Sequence, residues 1–454
     1  MIHFKKSLGS KISAGRGILF VIYASLAAFL TYSCMYAFRK PFAVAGYSGF
    51  RFLSVDLKVW LITAQVLGYT LSKFIGIKMV SELKSSHRAV SILALVGISQ
   101  LGLFLLYLTP VPVKILGMFI NGLPLGIIWG IVFSYLEGRK VTEILGACLS
   151  ASFILASGIV KSVGKFLMVN FHVNEFAMPF VTGLIFCLPL IVSVFFLDAV
   201  PSPSRDDIRE RTVRLPMNKQ QRRTFLNRFL TGMLLFIASY TLLTVLRELR
   251  DNFANEIWNS LGYSQDPSIF TLAEIPVTVI TLGTLGLISL IRSNIRAFMI
   301  IQFFVITGFA VILISSLLFS KHLLSGPAWM ILTGTGLYLG YVPFNALLYE
   351  RMIAVFRYKS NIGFAMYLSD AIGYLGSSMV VFVKQFTSPD LSWTGFYMKT
   401  GIWLSVAGLL LMLLAFRYFM KKYYTTYKMS GNEFSTIERK SVPASYTRAV
   451  VDQF

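Results

Sequence analysis

The sequence predicts an all-α integral membrane protein with twelve transmembrane helices arranged as two six-helix repeats. Three observations predict this class: 56% of the residues are hydrophobic and only 14% are charged, windows of about twenty apolar residues recur along the chain, and the two halves carry similar segments at matching places. The apolar windows hold few of the Lys and Arg residues, so we expect most of the residues that give the net charge of +22 to lie in loops. We therefore expect the lipid bilayer, and not a nucleic acid, as the main partner.

The apolar windows are long enough to cross the hydrocarbon core at about 1.5 Å rise per residue. In the first half we place spans 1 to 6 at residues 18–40, 59–80, 89–109, 114–136, 143–168 and 176–197. In the second half we place spans 7 to 12 at residues 225–250, 269–291, 297–319, 327–350, 361–385 and 395–420. The sequence thus divides into an N-terminal six-helix half, residues 1–197, and a C-terminal six-helix half, residues 225–420.

The connections predict the orientation of the chain. Basic residues are concentrated in the amino terminus, in the even-numbered connections and in the carboxyl terminus, which places both termini in the cytoplasm. Residues 198–224 form a polar cytoplasmic linker, and residues 421–454 form a polar cytoplasmic tail that we expect to be mostly disordered after residue 424. The first apolar run is too long for a cleaved signal peptide, so we expect a multi-pass protein of the cell (inner) membrane.

The sequence offers no constellation for a metal, a cofactor or covalent catalysis. Cys34, Cys148 and Cys187 each lie inside an apolar window, and the four histidines are scattered singly. The segment GIVKSVGKF, residues 158–166, lacks the glycine spacing of a phosphate-binding loop and has Phe166 where magnesium needs Ser or Thr. We expect no cofactor and no enzymatic activity.

Two pairs of segments repeat between the halves. Tyr32 precedes Arg39 by seven residues in YSCMYAFR of span 1, and Tyr240 precedes Arg247 by seven residues in YTLLTVLR of span 7. Span 4 ends LGIIWGIVFSYLEGR, and span 10 ends LGYVPFNALLYER. Two repeats related by an axis normal to the membrane would bring matching segments face to face, with a binding site near the middle of the bilayer.

Several local motifs, in this order, resemble the major facilitator superfamily and, within it, the organophosphate:phosphate antiporter group of glycerol-3-phosphate and hexose-phosphate transporters. These motifs are YAFRKPFAVA after span 1, GYTLSKFIGIKMVSE at the end of span 2, FINGLPLGIIW in span 4, EIPVTVI at the start of span 8 and GYLGSS in span 11. The resemblance implies the major facilitator fold, secondary transport by alternating access, and exchange of a phosphorylated metabolite against phosphate.

The resemblance also implies a site. Arg39 and Arg247 match the two arginines that bind the substrate phosphate near the two-fold axis in that group, and Lys73 in LSKF matches its pattern. The chain departs from the group in two places. Span 5 has no histidine, and the segment ELRDNF after Arg247 adds three charged residues: Glu248, Arg250 and Asp251.

The chemistry of a buried arginine supports the same site without the resemblance. A cation at the centre of a bilayer costs about 2.5 to 3.5 kcal/mol on insertion scales, so it needs an anion. A guanidinium group binds phosphate or carboxylate through paired hydrogen bonds. Arg39 has the alternative role of an anchor that reaches the outer headgroups. Arg247 has the alternative of a structural ion pair with a nearby acid: Glu248, Asp251 or Glu274.

Other polar residues of the spans are secondary candidates. Tyr36 lies three residues before Arg39 and shares its helix face, whereas Tyr32 and Tyr240 lie about two turns before their arginines. These tyrosines line the path or serve ordinary packing. Lys40 lies on a different face of the helix, where we expect an anchor at the membrane interface.

Four charged residues are candidates for coupling or charge pairing. Asp370 is either a proton-coupling carboxylate or the partner of a buried cation, and Lys161 compensates an acid such as Asp370. Arg250 competes with Arg247 for the binding role, and Glu274 is a further acid in reach.

We predict a secondary active transporter, monomeric, that moves a small organic anion such as a phosphorylated metabolite. A proton-coupled carboxylate or sugar transporter is the alternative within transport. A transporter-like membrane receptor for an organic anion is the alternative outside it.

Overall fold

A computed structural model describes residues 17–137, 139, 141–203, 219–356, 362–387 and 390–441. Its long helices lie at the predicted spans, and we number them α1 to α12 in the same order. The first half contains α1 Ile18–Tyr36, α2 Leu57–Glu82, α3 Arg88–Leu108, α4 Val111–Leu136, α5 Thr142–Asn170 and α6 Met178–Asp198. The second half contains α7 Lys219–Asn252, α8 Glu274–Ser289, α9 Asn294–Ser320, α10 Gly326–Pro343, α11 Ile362–Thr387 and α12 Trp393–Ser441.

Short elements connect these helices. They are the 3₁₀ turns Pro41–Val44 and Ser85–His87, the antiparallel hairpin of β1 Arg51–Phe52 and β2 Val55–Asp56, and the short helices Ala254–Ser260 and Ile269–Leu272. Helix α10 continues through a π-helical segment, Phe344–Leu348, into the helix Tyr349–Val355. The predicted all-α class with twelve long helices is confirmed.

Most of the long helices are apolar enough to cross a membrane. Nine helices in the described part of the chain meet this requirement by length and composition. The described residues of the others, α2, α10 and α11, do not meet it, and α2 and α11 contact each other between the two halves. Lys73 of α2 and Asp370 of α11 are buried at this contact, away from lipid. The chain forms an integral, multi-pass membrane protein.

The two halves use the same close packing at matching places. In the first half, α3 and α4 approach so closely that a Cβ atom on Gly102 would lie 2.5 Å from the carbonyl oxygen of Gly117. In the second half, a Cβ atom on Gly308 of α9 would overlap the carbonyl oxygen of Gly336 of α10. Small residues allow helix backbones to pack directly in membranes. The shared crossing supports the repeat that the sequence predicts.

Two pairs of helices join the halves. Helix α5 packs against α8 and against the short helix Ile269–Leu272, and α2 packs against α11. At the end of the bundle that carries the β-hairpin, the turn Pro41–Val44 also contacts α7 and the short helix Ala254–Ser260. The C-terminal part of α7 therefore lies where the two halves meet.

Some helix ends differ from the predicted windows. Helix α1 ends at Tyr36 and not at residue 40, because Pro41 has no amide hydrogen to continue the helical ladder. Helix α12 continues to Ser441, past residue 424 where we expected disorder, and the first proline after the span is Pro443. Helix α7 begins at Lys219, inside the predicted linker, of which residues 204–218 lie outside the described residues.

Candidate functional site

The two predicted arginines lie in one small pocket between the halves. The turn after α1 supplies Arg39, and the C-terminal part of α7 supplies Arg247. The pocket is lined by Tyr36, Arg39, Lys40, Phe153, Arg247, Glu248, Asp251 and Tyr338. Three of these side chains are cationic and two are anionic, so the lining carries a net positive charge.

Among the described residues, Arg39 is a buried cation that forms no ion pair. Its side chain is 4% exposed, and its guanidinium carbon lies 3.9 Å from the centre of the Tyr69 ring. Within the described residues the guanidinium makes no hydrogen bond or ion pair, and its Nε is buried and unsatisfied. The alternative role of an interfacial anchor does not fit, because the group lies in the protein interior. A cation–π contact replaces only part of its hydration.

Arg247 is also buried, but it is already neutralised. Its Nη2 donates to Glu248 Oε1 at 2.5 Å and to the hydroxyl of Tyr374 at 2.8 Å. Its Nη1 donates to the hydroxyl of Tyr341, whose ring centre lies 4.3 Å from the guanidinium carbon. Of the three alternative acids, Glu248 is the one that forms the ion pair. The two arginines of the repeat are therefore not equivalent.

Lys40 is not an interface anchor, and that prediction is wrong. The residue is 2% exposed, and its Nζ forms an ion pair with Asp251 and donates to Asn252 Oδ1 at 3.3 Å. It also lies 3.8 Å from Glu248 Oε2. The prediction assumed a helix through residue 40. Because α1 ends at Tyr36, Lys40 follows a turn that directs its side chain into the interface between the halves.

Lys161 is paired with a different acid from the one we expected. Its Nζ contacts Asp251 Oδ1, which also accepts a hydrogen bond from Ser157 Oγ at 2.6 Å. The expected partner, Asp370, instead lies 3.3 Å from Lys73 Nζ and accepts a hydrogen bond from the hydroxyl of Tyr240. Asp370 is therefore the partner of a buried cation, one of the two roles that the sequence left open.

Arg250 faces away from the pocket. Its Nη1 donates to Glu274 Oε1 at 2.6 Å, and its Nη2 donates to the carbonyl oxygen of Met330 at 3.2 Å. Both partners belong to the C-terminal half. Arg250 and Glu274 therefore form a pair inside that half, and Arg247, not Arg250, is the arginine that α7 contributes to the pocket.

Aromatic rings surround the arginines. Tyr32 contacts Tyr36 edge to face, with ring centres 5.5 Å apart, so both predicted tyrosines of α1 lie beside Arg39. Three further tyrosines complete the site and were not predicted: Tyr69, Tyr341 and Tyr374. A signal for two of them is present in the sequence, since Tyr69 lies four residues before Lys73 and Tyr374 lies four residues after Asp370, on the same helix faces. The third, Tyr341, shows no such spacing.

Five contacts between the halves share one direction. In each, the N-terminal half supplies a lysine and the C-terminal half supplies an acid or an amide. These pairs are Lys40 with Asp251, Lys161 with Asp251, Lys73 with Asp370, Lys58 with Glu256 at 2.5 Å and Lys165 with Asn255 at 3.0 Å. Across the described residues, no group of three or more His, Cys, Asp and Glu residues is arranged to hold a metal ion.

Comparison with solved structures defines the fold class. The crystal structure of a D-xylose-proton symporter is similar over 87% of this chain and 96% of its own, with 14% identity and a TM-score of 0.58. A mutant of the nucleoside transporter NupG is similar over 88% and 99%, with 14% identity and a TM-score of 0.57. The inward open xylose transporter XylE from E. coli is similar over 87% and 95%, with 12% identity and a TM-score of 0.59. The chain has the major facilitator fold.

At these identities the likeness establishes the fold and not the substrate. A family model described as a family of unknown function, DUF5690, matches residues 41–422. The chain belongs to this family. No curated protein matches the chain.

Proposed function

We propose that the protein is a secondary active transporter that moves a small organic anion, a phosphorylated metabolite, by alternating access and in exchange for phosphate. The observation that carries the proposal is the buried guanidinium of Arg39, which has no acidic partner among the described residues and faces a pocket shared with Arg247. We further propose that the protein works as a monomer in the cell membrane with both termini in the cytoplasm.

The energetics of Arg39 favour an anion over a neutral ligand. An uncompensated buried charge is strongly destabilising, because the low-dielectric interior does not replace its hydration. A phosphate group offers acceptor oxygens that match the planar donors of a guanidinium. A bound anion therefore accepts hydrogen bonds from Arg39 and also compensates its charge, whereas a sugar hydroxyl is neutral and compensates no charge.

Arg247 links binding to movement of the halves. A phosphate that reaches Arg39 also approaches Arg247 and competes with Glu248 for its donors. Glu248 lies 3.8 Å from Lys40 of the opposite half, so the competition changes the contacts between the halves. A ligand shifts a conformational equilibrium only by contacts that differ between the two states, and these contacts supply such a difference.

Counterflow in proteoliposomes tests the proposal. The vesicles are loaded with phosphate and challenged with labelled glycerol 3-phosphate and glucose 6-phosphate. We expect Arg39→Lys to lower uptake by about tenfold or more, because lysine keeps the charge and loses the paired hydrogen bonds. Arg51→Lys is the matched control, since the Arg51 side chain is 69% exposed on the hairpin. Uptake by Arg39→Lys equal to that of the wild type would contradict the proposal.

A proton-coupled sugar transporter is the second candidate. Asp370 is an acid inside α11 that contacts Lys73 of the opposite half, and a carboxylate in this position suits proton coupling. Two of the similar structures are named as xylose transporters. Sugar uptake driven by a pH gradient, abolished in Asp370→Asn and unaffected by Arg39→Lys, would favour this candidate. Ligand-dependent thermal stabilisation without any uptake would favour a receptor.

A further inference from the structure

A second cavity lies at the end of the bundle that carries the β-hairpin. Its volume is about 330 Å³, within the range of about 300 to 1,000 Å³ that is typical of small-molecule sites. Both halves line it, and it shares no lining residue with the Arg39 pocket. The N-terminal half contributes residues 46–50, 56, 58 and 59, and the C-terminal half contributes Phe253, Asn255, Glu256, Asn259 and Trp393.

Two buried polar atoms of this cavity have no partner among the described residues. One is the hydroxyl oxygen of Tyr47, a residue that is 2% exposed. The other is Oε2 of Glu256, whose Oε1 accepts a hydrogen bond from Lys58 Nζ at 2.5 Å. Buried polar atoms are nearly always hydrogen-bonded. These two atoms therefore indicate an occupant that the chain itself does not supply.

The two atoms belong to neighbouring groups. Burial raises the pKa of the Tyr47 hydroxyl, and the carboxylates of Glu175 and Glu256 raise that pKa further. The hydroxyl thus stays protonated and lies within the field of the Glu256 carboxylate. The Tyr47 backbone is fixed by its N–H, which donates to Glu175 Oε2 at 2.6 Å. The tyrosine is held in place although its own hydroxyl is unsatisfied.

The hydrogen-bonding needs of the two atoms define the ligand group. Glu256 Oε2 needs a donor, and the Tyr47 hydroxyl needs an acceptor. A ligand hydroxyl supplies both, because it donates one hydrogen bond and accepts others. A quaternary ammonium group supplies neither a donor nor an acceptor, and a phosphate dianion would place further negative charge beside the Glu256 carboxylate.

The charges of the lining favour a neutral ligand. Glu256 is paired with Lys58, and Asp56 lies 3.2 Å from Arg51 on the hairpin. Asn255 and Asn259 add amide groups, and Phe253 and Trp393 add apolar surface. We infer that this cavity is a second binding site, for a neutral, hydroxyl-rich ligand of monosaccharide size, in which one ligand hydroxyl bridges Tyr47 and Glu256. Because both halves line the site, its occupation favours the conformation in which they meet at this end.

Binding of D-glucose to the full chain in lipid nanodiscs tests the inference. Saturation-transfer NMR gives the dissociation constant for the wild type and for Tyr47→Phe, which removes only the unsatisfied hydroxyl. We expect glucose to bind and Tyr47→Phe to weaken binding by about three- to tenfold, the effect of one hydrogen bond. The melting temperature of Tyr47→Phe should equal that of the wild type, because the hydroxyl has no partner in the described part of the protein. Tyr263→Phe is the matched control, because Tyr263 does not line the cavity.

Each other result overturns the inference. Equal affinity of wild type and Tyr47→Phe would show that the hydroxyl binds only water. Absence of glucose binding would show that the cavity does not bind a neutral, hydroxyl-rich ligand of monosaccharide size. Displacement of glucose by choline or by inorganic phosphate, lost in Tyr47→Phe, would show that the cavity takes a charged ligand. Dependence on Tyr47 also separates this cavity from the Arg39 pocket, so the outcome is independent of the transported substrate.

Discussion

At the scale of single residues, the charged side chains between the halves differ in how completely they are compensated. Asp251 accepts contacts from Lys40, Lys161 and Ser157, whereas the Arg39 guanidinium lies against the Tyr69 ring and forms no ion pair within the described residues. The first arrangement is a closed set of ion pairs. The second leaves a buried cation without an ion pair among the described residues. Adjacent residues of one turn, Arg39 and Lys40, therefore differ in how far their charge is compensated.

We expect Asp251→Asn to destabilise the protein by about 3 to 5 kcal/mol, because removing one member of a buried ion pair leaves the other uncompensated. Here Lys161 loses its acid, and Lys40 loses the nearer of its two acids. The double variant Asp251→Asn/Lys161→Met should recover part of the loss. Thermal denaturation in detergent, followed by tryptophan fluorescence, measures both effects.

The exposed pair on the hairpin is the control for this prediction. The side chain of Asp56 is 44% exposed and that of Arg51 is 69% exposed. Asp56→Asn breaks their contact and should change the free energy of unfolding by less than about 1 kcal/mol. If Asp251→Asn melted at the wild-type temperature, the buried contacts of Asp251 would not stabilise this conformation.

The sequence identified part of the site and missed part of it for a physical reason. Arg39 and Arg247 follow from a repeat with fixed spacing, Tyr36 follows from its helical spacing to Arg39, and the structure brings all three together. The contacts of Lys40 could not be read from helical periodicity, because the helix ends four residues earlier. The pairing of Lys161 with Asp251 joins residues of different halves, and no local pattern in the chain specifies such a contact.

At the scale of helices, close crossings depend on glycine. Helix α3 offers a matched comparison, because Gly102 faces the backbone of α4, whereas a methyl group added to Gly97 of the same helix would have no atom within 4 Å. Apolar windows and loop charges predicted where the helices lie. They did not predict the π-helical segment Phe344–Leu348 after Pro343, since neither hydropathy nor loop charge carries information on the hydrogen-bonding pattern within a helix.

Gly102→Ala should lower the melting temperature and the yield of folded protein, by an overpacking cost of about 1 to 3 kcal/mol. The added methyl group would lie 2.6 Å from the Asn121 backbone nitrogen as well as 2.5 Å from the Gly117 oxygen, so α3 and α4 would have to separate. Gly97→Ala should be neutral or slightly stabilising, because alanine favours the helix. Size-exclusion profiles and melting curves of the two variants provide the comparison, and equal behaviour would argue against the close crossing.

At the scale of the whole molecule, the halves meet through a few defined contacts. Ser162 Oγ of α5 lies 2.6 Å from Thr271 Oγ1 of the short helix Ile269–Leu272, and the rings of Tyr69 and Tyr374 lie 5.1 Å apart across the same interface. Alternating access requires contacts between halves to break and re-form. A covalent link at one of them should therefore stop the cycle.

Ser162→Cys/Thr271→Cys should form a disulfide, because the two side chains are already within bridging distance. Both substitutions are made in a protein whose three native cysteines, Cys34, Cys148 and Cys187, have been replaced by serine. We expect oxidation to abolish uptake and reduction to restore it, with ligand-dependent stabilisation retained in both states. Each single cysteine variant is the control, and uptake that persists in the fully oxidised double variant would show that this contact does not open during transport.

The division of charge between the halves also affects how the protein is made. The N-terminal half leaves the ribosome first, with Lys40, Lys58 and Lys161 directed toward acids that have not yet been synthesised. Its assembly is complete only when α7 and the short helix after it enter the membrane and neutralise these lysines. The two halves, produced as separate chains, should therefore accumulate poorly alone and recover when they are produced together.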